Sequence, residues 1–305
     1  MKQDYPRCGI GMLCGLFGKT RHAYYDTLWR RETGLIEEDI ILQEVQRLRK
    51  SLPRVGTRKL LHLLGPVLVS HQIRIGRDAL FDLLQRHRLL VGQRRRKAIT
   101  TDSRHWMRKY GNLIKDIVIN RPEQVWVSDI TYIRMSNQWG YLSLITDAYS
   151  RKIMGYSFRS DLQAEGCVQA LQMALDNRAY NATITHHSDR GSQYCSALYV
   201  SLLQQNNIRI SMTENGDPYE NAIAERVNGI IKTEFNLHTS SLGFEQTGNQ
   251  IAKSIKAYNE LRPHASCNYL TPEEAHLNLK PLTKRWKNYH TQNKSKSQCI
   301  ADLGL

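Results

Sequence analysis

The fold is decided by residues 125–158, VWVSDITYIRMSNQWGYLSLITDAYSRKIMGYSF, where three runs rich in β-branched and aromatic residues are separated by short turn-like segments. The three runs are VWVSDITYI (125–133), YLSLITDAYS (141–150) and KIMGYSF (152–158). Strands joined by connections this short pair with one another in an antiparallel meander. We therefore predict a three-stranded antiparallel sheet as the first half of the fold.

Downstream of this meander the pattern alternates between helix and strand. Residues 164–177 (AEGCVQALQMALDN) have helical spacing, and TITHHSD (183–189) predicts a fourth strand. A helix over 196–206, a fifth strand at IRISM (208–212) and a long helix over 221–234 follow. The order βββαβαβα predicts an α/β fold with a mixed sheet of ribonuclease H type, rather than a doubly wound sheet.

The N-terminal third has helical patterns only. LCGLFGKTRHAYYDTLWRR (13–31) predicts a short helix, a turn at Gly18 and a second helix from Thr20, which is the outline of a helix-turn-helix unit. Three further helices are predicted over 35–50, 58–64 and 77–90. We therefore expect an all-α, helix-turn-helix DNA-binding region before the sheet.

These patterns divide the chain into six segments. The predicted segments are a helix-turn-helix-like segment at 1–34, a helix-turn-helix DNA-binding domain at 35–92, a basic linker at 93–118, the ribonuclease H-like catalytic core at 119–235, a C-terminal helical region at 236–282 and a basic flexible tail at 283–305. The linker is predicted because QRRRKAITTDSRHWMRKYGN (93–112) has no apolar period and can lie along a phosphate backbone.

Charge is distributed unevenly along the 305 residues. The net charge of +15 divides into +13 over 1–120, −3 over 121–277 and +5 over 278–305. Two basic ends around a slightly acidic middle indicate that the ends bind a polyanion and the middle uses carboxylates for chemistry. The alternative is that the basic stretches are simply solvated surface.

Cysteine usage and hydropathy narrow the class of protein. The six cysteines are scattered and none lies in a Cys-x-x-Cys pair, which argues against a disulfide framework and against a cysteine-rich zinc site. No apolar run approaches the ~20 residues that span a bilayer, and the first residues lack a secretory signal. We expect a cytoplasmic protein with no membrane partner.

Three acidic residues fall at positions that favour catalysis. Asp129 lies in the middle of the first strand, Asp189 follows the fourth strand, and Glu225 lies on the helix after it. Each alone has an ordinary explanation: a salt-bridged strand residue, a turn aspartate and a solvent-facing glutamate. Asp147, at the end of the second strand, is a rival for the first position. We rank it lower because the following Ala-Tyr-Ser-Arg is typical of a turn.

The conjunction of these acids predicts a metal centre. Hard carboxylate oxygens without Cys or a paired His suit Mg²⁺, with Mn²⁺ as a substitute, rather than zinc. Two such ions ~3.5–4 Å apart would activate the attacking oxygen and stabilise the leaving oxygen of an in-line displacement at phosphorus. Lys232 lies seven residues after Glu225, nearly in line along the helix, with Gly229 beside them.

Several motifs resemble those of the DDE transposases of the IS3 family (OrfB type), which are related to retroviral integrases. WVSDITYI, HSDRGSQY and GDPYENAIAERVNGIIKTEF resemble the three catalytic blocks, and YNELRPH (258–264) and LTPEEAH (270–276) resemble the segments that follow. The resemblance covers roughly 35–280. It implies that Asp129, Asp189 and Glu225 are the catalytic and metal-binding residues. Glu220 departs from the usual Asp-Asn of the third block, which leaves the Glu225 assignment intact.

The resemblance also implies that Lys232 contacts the transposon end. Other residues could bind DNA or serve structural roles: the pair His186 and His187 could pack instead, and Trp106 and Trp286 could stack on bases or be core residues. The complete set of residues predicted to bind DNA is Lys232, Asn221, Asn228, Arg190, His187, Arg262, His264, Arg58, Lys59, Arg77, Arg94, Arg95, Arg96 and Lys97.

The sequence therefore predicts a DNA transposase that cleaves transposon ends and joins the 3′-hydroxyl to a target phosphodiester by two-metal-ion catalysis. The expected partners are double-stranded DNA and further copies of the chain on that DNA. Because the family's OrfA protein is not represented and no heptad run is found, an OrfA-type partner or fusion is also possible. The alternatives are a catalytically inactive DNA-binding regulator and a ribonuclease H-like nuclease without strand transfer.

Overall fold

The structure is a computed structural model. It describes residues 7–92, 106–115, 117–135, 138–214, 220–237, 242–278 and 281–282. The chain divides into two compact units, one of residues 1–50 and 56–91 and the other of residues 51–55 and 92–305. The predicted tail and most of the predicted linker, including Arg94 to Lys97, lie outside the described residues. Among the described helices, none combines the length and the apolar character needed to cross a bilayer.

The first unit contains four helices. They are α1 (Ile10–Leu16), α2 (Arg21–Ser51), α3 (Thr57–Ser70) and α4 (Arg77–Arg86). Gly18 has a φ of +63°, which forms the predicted turn between α1 and α2, and the Thr20 hydroxyl accepts the Ala23 N–H at 3.1 Å, as expected at a helix start. The core of this unit consists of leucines on α3 and α4 with Ile41 and Val45 of α2.

Three predicted helix boundaries in this unit are wrong, and one of them is the end of the helix predicted over 77–90, because α4 ends at Arg86. The interruption expected between residues 31 and 35 is absent, because α2 continues through Gly34 for 31 residues. Glycine costs a helix about 1 kcal/mol, which burial of Ile41 and Val45 on the same helix outweighs. Helix α3 likewise continues past Pro66 to Ser70, and Leu68 is buried beyond the proline. The boundary between the first two predicted segments therefore lies inside a helix, whereas the other segment boundaries stay predictions.

The second unit contains a five-stranded mixed sheet. The strands are β1 (Val125–Arg134), β2 (Trp139–Asp147), β3 (Ile153–Arg159), β4 (Thr185–Ser188) and β5 (Arg209–Met212), in the order β3-β2-β1-β4-β5. The pairs β1–β2 and β2–β3 are antiparallel, whereas β1–β4 and β4–β5 are parallel. This confirms the predicted mixed sheet of ribonuclease H type.

Helices cover both faces of this sheet. The helices are α5 (Ala164–Asp176), α6 (Ser192–Cys195), α7 (Ala197–Gln205), α8 (Ala222–Glu234), α9 (Phe244–Glu260) and α10 (Pro272–Leu277), with a short 3₁₀ helix at Ala265–Cys267. Trp126 packs on one face in a core formed largely with α5 and α7. Val125 and Val127 pack on the other face against Ala224 of α8. Alternation along β1 thus places Asp129 on the face that α8 covers.

Candidate active site

Asp129 and Asp189 are brought together by the pairing of β1 with β4. These parallel strands are in register with Val127 opposite His187, so two residues further along Asp129 lies beside Asp189. β4 ends at Ser188, and Asp189 therefore follows directly at its carboxyl end. This is the edge of an α/β sheet where ligands bind. We refer to Asp129 and Asp189 as the Asp129 cluster.

The Asp129 carboxylate is held by two hydrogen bonds. Its Oδ1 accepts the Ile130 N–H at 2.9 Å, and its Oδ2 accepts an Asn228 Nδ2–H at 2.7 Å. Burial and the negative charge of Asp189 raise its pKa to about 7 in spite of these donors, and the charge of Glu225 acts in the same direction. Ionising this carboxyl therefore costs free energy, which a cation placed beside it would offset.

The Asp189 carboxylate is fixed by the loop that follows. Its Oδ1 accepts the Gly191 N–H at 3.0 Å, and burial raises its pKa. A Cβ at position 191 would lie 3.0 Å from that same oxygen and 3.2 Å from Oε1 of Gln193. Glycine is therefore the residue that lets the backbone approach this carboxylate so closely.

Two asparagines attach α8 to β1 above the acidic pair. Asn221 donates through Nδ2 to the Ser128 carbonyl at 3.0 Å, and Asn228 binds Asp129 as described. Seven residues separate them, so they project from the same side of the helix. Both are buried in this conformation, and our prediction that their side chains contact DNA stays a prediction. Here they hold the strand that carries Asp129.

Glu225 and Lys232 lie on the same helix but are more accessible. Glu225 is exposed, and its charge reaches Asp129. Lys232 is partly buried; burial lowers its pKa, and the negative charge of Asp129 opposes that shift. No group of three His, Cys, Asp or Glu side chains in the described part of the chain has the arrangement that would hold a metal ion. In this conformation Glu225 does not complete a three-ligand site with the Asp129 cluster.

The two histidines before Asp189 are core residues. His186 lies 2.9 Å from the Ser128 hydroxyl and 2.8 Å from the Tyr199 hydroxyl, and His187 Nδ1 lies 2.8 Å from the Ser211 hydroxyl. Burial lowers the pKa of His186 to about 3 and that of His187 to about 4. Both are buried in this conformation, which favours the packing alternative, and the predicted contact of His187 with DNA stays a prediction.

Comparison with known proteins identifies the family. Two family models, both described as integrase core domain, match residues 119–218 and 206–272. An insertion element IS600 protein of 31 kDa from Shigella sonnei is 32% identical over 265 residues, which cover 85% of this chain and 96% of that protein. The transposase InsF for insertion sequence IS3A of Escherichia coli K12 is 36% identical over 163 residues, covering 53% of this chain and 57% of that protein.

The chain belongs to the IS3 family of insertion-sequence transposases.

Solved structures with the integrase fold also align with this IS3-family chain. The catalytic core of HTLV-2 integrase in complex with magnesium is 20% identical, with a TM-score of 0.42, covering 51% of this chain and 97% of that one. Integrase in the simian T-cell lymphotropic virus intasome with the PP2A subunit B56 gamma is 17% identical, with a TM-score of 0.47, covering 76% of this chain and 75% of that one.

The family's YNELRPH block has a structural role at Arg262. Its guanidinium is only 1% exposed and forms two 2.7 Å hydrogen bonds with the Glu234 carboxylate at the end of α8. The guanidinium also lies 5.5 Å from the centre of the Tyr258 ring. In this conformation Arg262 therefore holds the end of α8, and its predicted contact with DNA stays a prediction. Sequence reasoning missed Glu234, although it lies in the quoted block GIIKTEF.

A second acidic group was also missed. Glu123 and Asp147 are fully buried near the start of β1 and the end of β2, and His276 of α10 lies 3.3 Å from Glu123 and 3.8 Å from Asp147. We call these three residues the Glu123 cluster. Asp147 also accepts hydrogen bonds from the Glu123 N–H and the Ser150 N–H, both at 2.7 Å. Asp147 is therefore a structural residue, as its lower ranking implied.

The remaining residues predicted to bind DNA stay predictions. Arg58 and Arg77 are exposed in the first unit, and Lys59 is partly exposed beside Arg58. In the second unit, Arg190 and His264 are partly exposed. Trp106 is 93% exposed, which removes the core alternative for its side chain. Arg94, Arg95, Arg96, Lys97 and Trp286 lie outside the described residues.

Proposed function

We propose that this IS3-family chain is a DDE polynucleotidyl transferase that cleaves transposon ends and joins the new 3′-hydroxyl to a target phosphodiester. Asp129, Asp189 and Glu225 are the proposed catalytic carboxylates. The observation that carries the proposal is the Asp129 cluster, two neighbouring carboxyls with raised pKa values at the carboxyl edge of the sheet. The relatives named transposase support the same reaction class.

The donor set fits a divalent cation such as Mg²⁺ or Mn²⁺. All three proposed ligands are hard carboxylate oxygens, and the Asp129 cluster has two of them side by side in a partly desolvated position. When bound, a pair of such ions would lower the pKa of the attacking hydroxyl and neutralise charge on the phosphodiester. Glu225 is exposed on α8, its charge acts on Asp129, and it is the third proposed ligand.

The protein's own groups orient these ligands. The Ile130 N–H and Asn228 fix both oxygens of Asp129, and the Gly191 N–H fixes one oxygen of Asp189. Lys232 supplies positive charge beside Asp129 and can bind a phosphate of the transposon end. Water attacks the phosphodiester at the transposon end, the P–O3′ bond breaks, and a free 3′-hydroxyl and a 5′-phosphate are left. That hydroxyl then attacks the target phosphorus and displaces the 3′-oxygen of the target strand, so no protein–DNA bond forms.

The proposal extends to partners and location. Double-stranded DNA is both substrate and target, and the basic N-terminal residues are proposed to bind it. Further copies of the chain, and an OrfA-type protein, are proposed to assemble on the DNA ends. A DNA substrate of this kind places the protein in the bacterial cytoplasm.

The proposal is tested with labelled duplexes that carry the element's terminal sequences, a target plasmid and Mg²⁺. We expect cleaved ends and joined products, both abolished by EDTA. Asp129→Asn should lower cleavage on the order of 10³-fold or more while DNA binding stays near wild type. Cleavage at the wild-type rate in that variant would remove Asp129 from the mechanism. Cleavage without joined product would instead indicate a simple nuclease.

A further inference from the structure

The end of the β1–β2 hairpin has one face that is open to solvent. On β1, Tyr132 is partly exposed and Arg134 is exposed, whereas Ile133 between them is buried. Cross-strand neighbours share a face of a sheet, and the register pairs Tyr132 with Tyr141 and Arg134 with Trp139. We call these four side chains, Tyr132, Arg134, Trp139 and Tyr141, the hairpin platform.

The opposite face of the hairpin is packed, which holds the platform in place. A Cβ at Gly140, between Trp139 and Tyr141, would overlap the Phe158 ring, so glycine lets this ring pack against the hairpin. Phe158 in turn stacks on Phe244 of α9, with ring centres 4.8 Å apart. The hairpin is therefore supported from one side and presents the platform on the other.

The composition of the platform indicates what binds there. Trp139 is 45% exposed, and the two tyrosine rings are in edge-to-face contact with their centres 5.3 Å apart. No carboxylate in the described part of the chain pairs with Arg134, whereas Arg159, opposite Tyr141 on β3, is paired with Asp161 at 2.8 Å. Aromatic rings stack on nucleobases and an unpaired guanidinium attracts phosphate, so the platform is complementary to a nucleic acid strand.

The platform also lies beside the Asp129 cluster. Tyr132 is three residues further along β1 than Asp129, a distance of about 10 Å at 3.3 Å per residue. β4 pairs with Val125–Val127 and ends at Ser188, so no described strand continues beside this edge of β1 past Asp129. Burial raises the pKa of Tyr132, and charge on Tyr141 and on the Asp129 cluster raises it further, which places the phenol within electrostatic reach of both carboxylates. A DNA strand with a phosphodiester at the Asp129 cluster therefore has its adjacent nucleotides near the platform.

We propose that the hairpin platform stacks on an unpaired base of the DNA, next to the phosphodiester at the Asp129 cluster. This inference rests on the proposed function, because it needs a DNA end at that cluster. In a duplex the faces of the bases are covered by the neighbouring base pairs, so only an unpaired base can stack on the rings of the platform. The preferred substrate is therefore a DNA end whose base pairs beside the cleavage position are open, and Arg134 binds a phosphate of the same strand.

Fluorescence anisotropy of the full chain with labelled duplexes tests this preference, in EDTA so that no cleavage occurs. Both duplexes carry the element's terminal sequence, and one of them has two unpaired bases beside the cleavage position. We expect the wild type to bind the opened duplex roughly tenfold more tightly than the paired one. Abasic sites in place of the unpaired bases should abolish the difference, because they keep the backbone and remove the rings that stack.

Substitutions in the platform should remove the preference without weakening binding in general. Tyr132→Ala and Tyr141→Ala should each lose most of the difference between the two duplexes, with affinity for the paired duplex within about twofold of the wild type, and Tyr132→Phe should keep it because the ring remains. Trp139→Ala should reduce the difference and keep the fold, since its side chain is already largely in water. Leu198→Ala is the matched control, because Leu198 is 60% exposed on α7 and outside the platform. Circular dichroism checks that each variant is folded.

The outcomes separate this inference from the proposed function. Equal affinity of the wild type for the two duplexes overturns the inference, and so does a preference that survives abasic sites or both Tyr132→Ala and Trp139→Ala. Variants that change the sedimentation of the DNA-free chain and leave the preference intact would assign the platform to a protein contact, which also overturns it. Asp129→Asn should keep the preference, because the platform is unchanged. Cleaved and joined products from a wild type without the preference would leave the proposed function standing and remove only this inference.

Discussion

Two acidic groups beside strand β1, the buried Glu123 cluster and the partly exposed Asp129 cluster, differ in how their charge is compensated. In the Glu123 cluster burial opposes ionisation of Glu123, yet the hydrogen bonds from His276 and from the Ala179 N–H outweigh it, and the pKa of Glu123 lies below its ordinary value. In the Asp129 cluster burial and the adjacent carboxylate prevail, and the pKa of Asp129 rises to about 7. The charge of the Glu123 cluster is compensated within the protein, whereas in the Asp129 cluster the hydrogen bonds and the nearby Lys232 do not offset burial and the adjacent carboxylate.

This difference indicates that the Glu123 cluster stabilises the fold, whereas the Asp129 cluster has a functional role. The Glu123 cluster attaches α10 to the ends of β1 and β2, since His276 lies between two carboxylates and the Tyr180 hydroxyl donates to the His276 carbonyl at 2.8 Å. The Asp129 cluster stores unfavourable electrostatic energy in a position open to a ligand. Perturbed carboxyls of the second kind concentrate at functional sites, whereas compensated ones stabilise the fold.

Removing His276 from the Glu123 cluster should change the stability of the protein more than a substitution in the Asp129 cluster does. His276→Ala removes the cation that lies between two buried carboxylates, while Arg178 stays 3.6 Å from Glu123, and we expect a loss of about 3 kcal/mol in the free energy of unfolding, measured in urea. Contacts with Asp147 and Glu123 raise the pKa of His276 although burial opposes this. The stabilisation that His276 contributes is therefore fully present below about pH 6.5, its pKa in the unfolded chain. It is lost as the pH rises through the higher pKa of His276 in the folded protein.

A double-mutant cycle separates this charge effect from simple loss of packing. Adding Glu123→Gln to His276→Ala removes one of the uncompensated charges, so the double variant should be less destabilised than the sum of the two single variants. Additive losses, or a single-variant loss below about 1 kcal/mol, would contradict the description of this cluster as a compensated group.

In the Asp129 cluster, removing a charge should raise the stability of the protein instead of lowering it. Asp129→Asn removes the charge and keeps one oxygen to accept from the Ile130 N–H, and its new amide N–H can donate to Asn228 once the Asn228 amide is flipped. We therefore expect the metal-free protein at pH 7.5 to gain about 2 kcal/mol or more. In the wild type the unfolded carboxyl ionises near pH 4 and the folded one near pH 7. As the pH rises from about 4 to about 7, the free energy of unfolding of the wild type should therefore fall relative to that of the variant. Above about pH 7 the difference between the two should stay constant.

Thermal unfolding in EDTA at a series of pH values measures this difference. Asp161→Asn is the control, because Asp161 is a partly exposed acid whose pKa is lowered by its hydrogen bonds with Arg159. That substitution should destabilise slightly or do nothing. An Asp129→Asn variant that is less stable than the wild type at neutral pH would show that the carboxylate is already compensated within the protein.

The parts of this fold that could be predicted from sequence are those set by local pattern. Alternation and short turns specified β1, β2 and β3, and the switch to alternating helices and strands specified the mixed sheet. Helix ends were less predictable. Gly34 and Pro66 are local signals for a break, and burial of Val45 and Leu68, which depends on the tertiary packing, outweighs them.

In the candidate site, too, some features could be predicted from local pattern and others depended on the tertiary fold. The positions of Asp129 and Asp189 followed from strand order and the usual ligand-binding edge, and their catalytic role with Glu225 stays a prediction. The partners of Asn228 and Arg262 could not be predicted, because the first contacts a residue 99 positions away and the second a residue 28 positions away. A basic or amide side chain in a motif indicates that it binds something, but only the fold decides whether that is DNA or a carboxylate.

The smallest effect is expected from a substitution of Asn228, which tests whether the hydrogen bond from this residue adjusts the pKa of Asp129. Its hydrogen bond lowers the pKa of Asp129 against the effect of burial and of Asp189. Asn228→Ala should therefore raise that pKa further and shift the acidic limb of the cleavage profile to higher pH, by roughly half a unit to one unit. Cleavage above that limb should fall only a few-fold. Asn221→Ala is the matched control, since Asn221 binds the Ser128 carbonyl and not the carboxylate. If both variants lose activity equally at every pH, Asn228 acts only by attaching α8 to β1, and its hydrogen bond does not adjust the charge of Asp129.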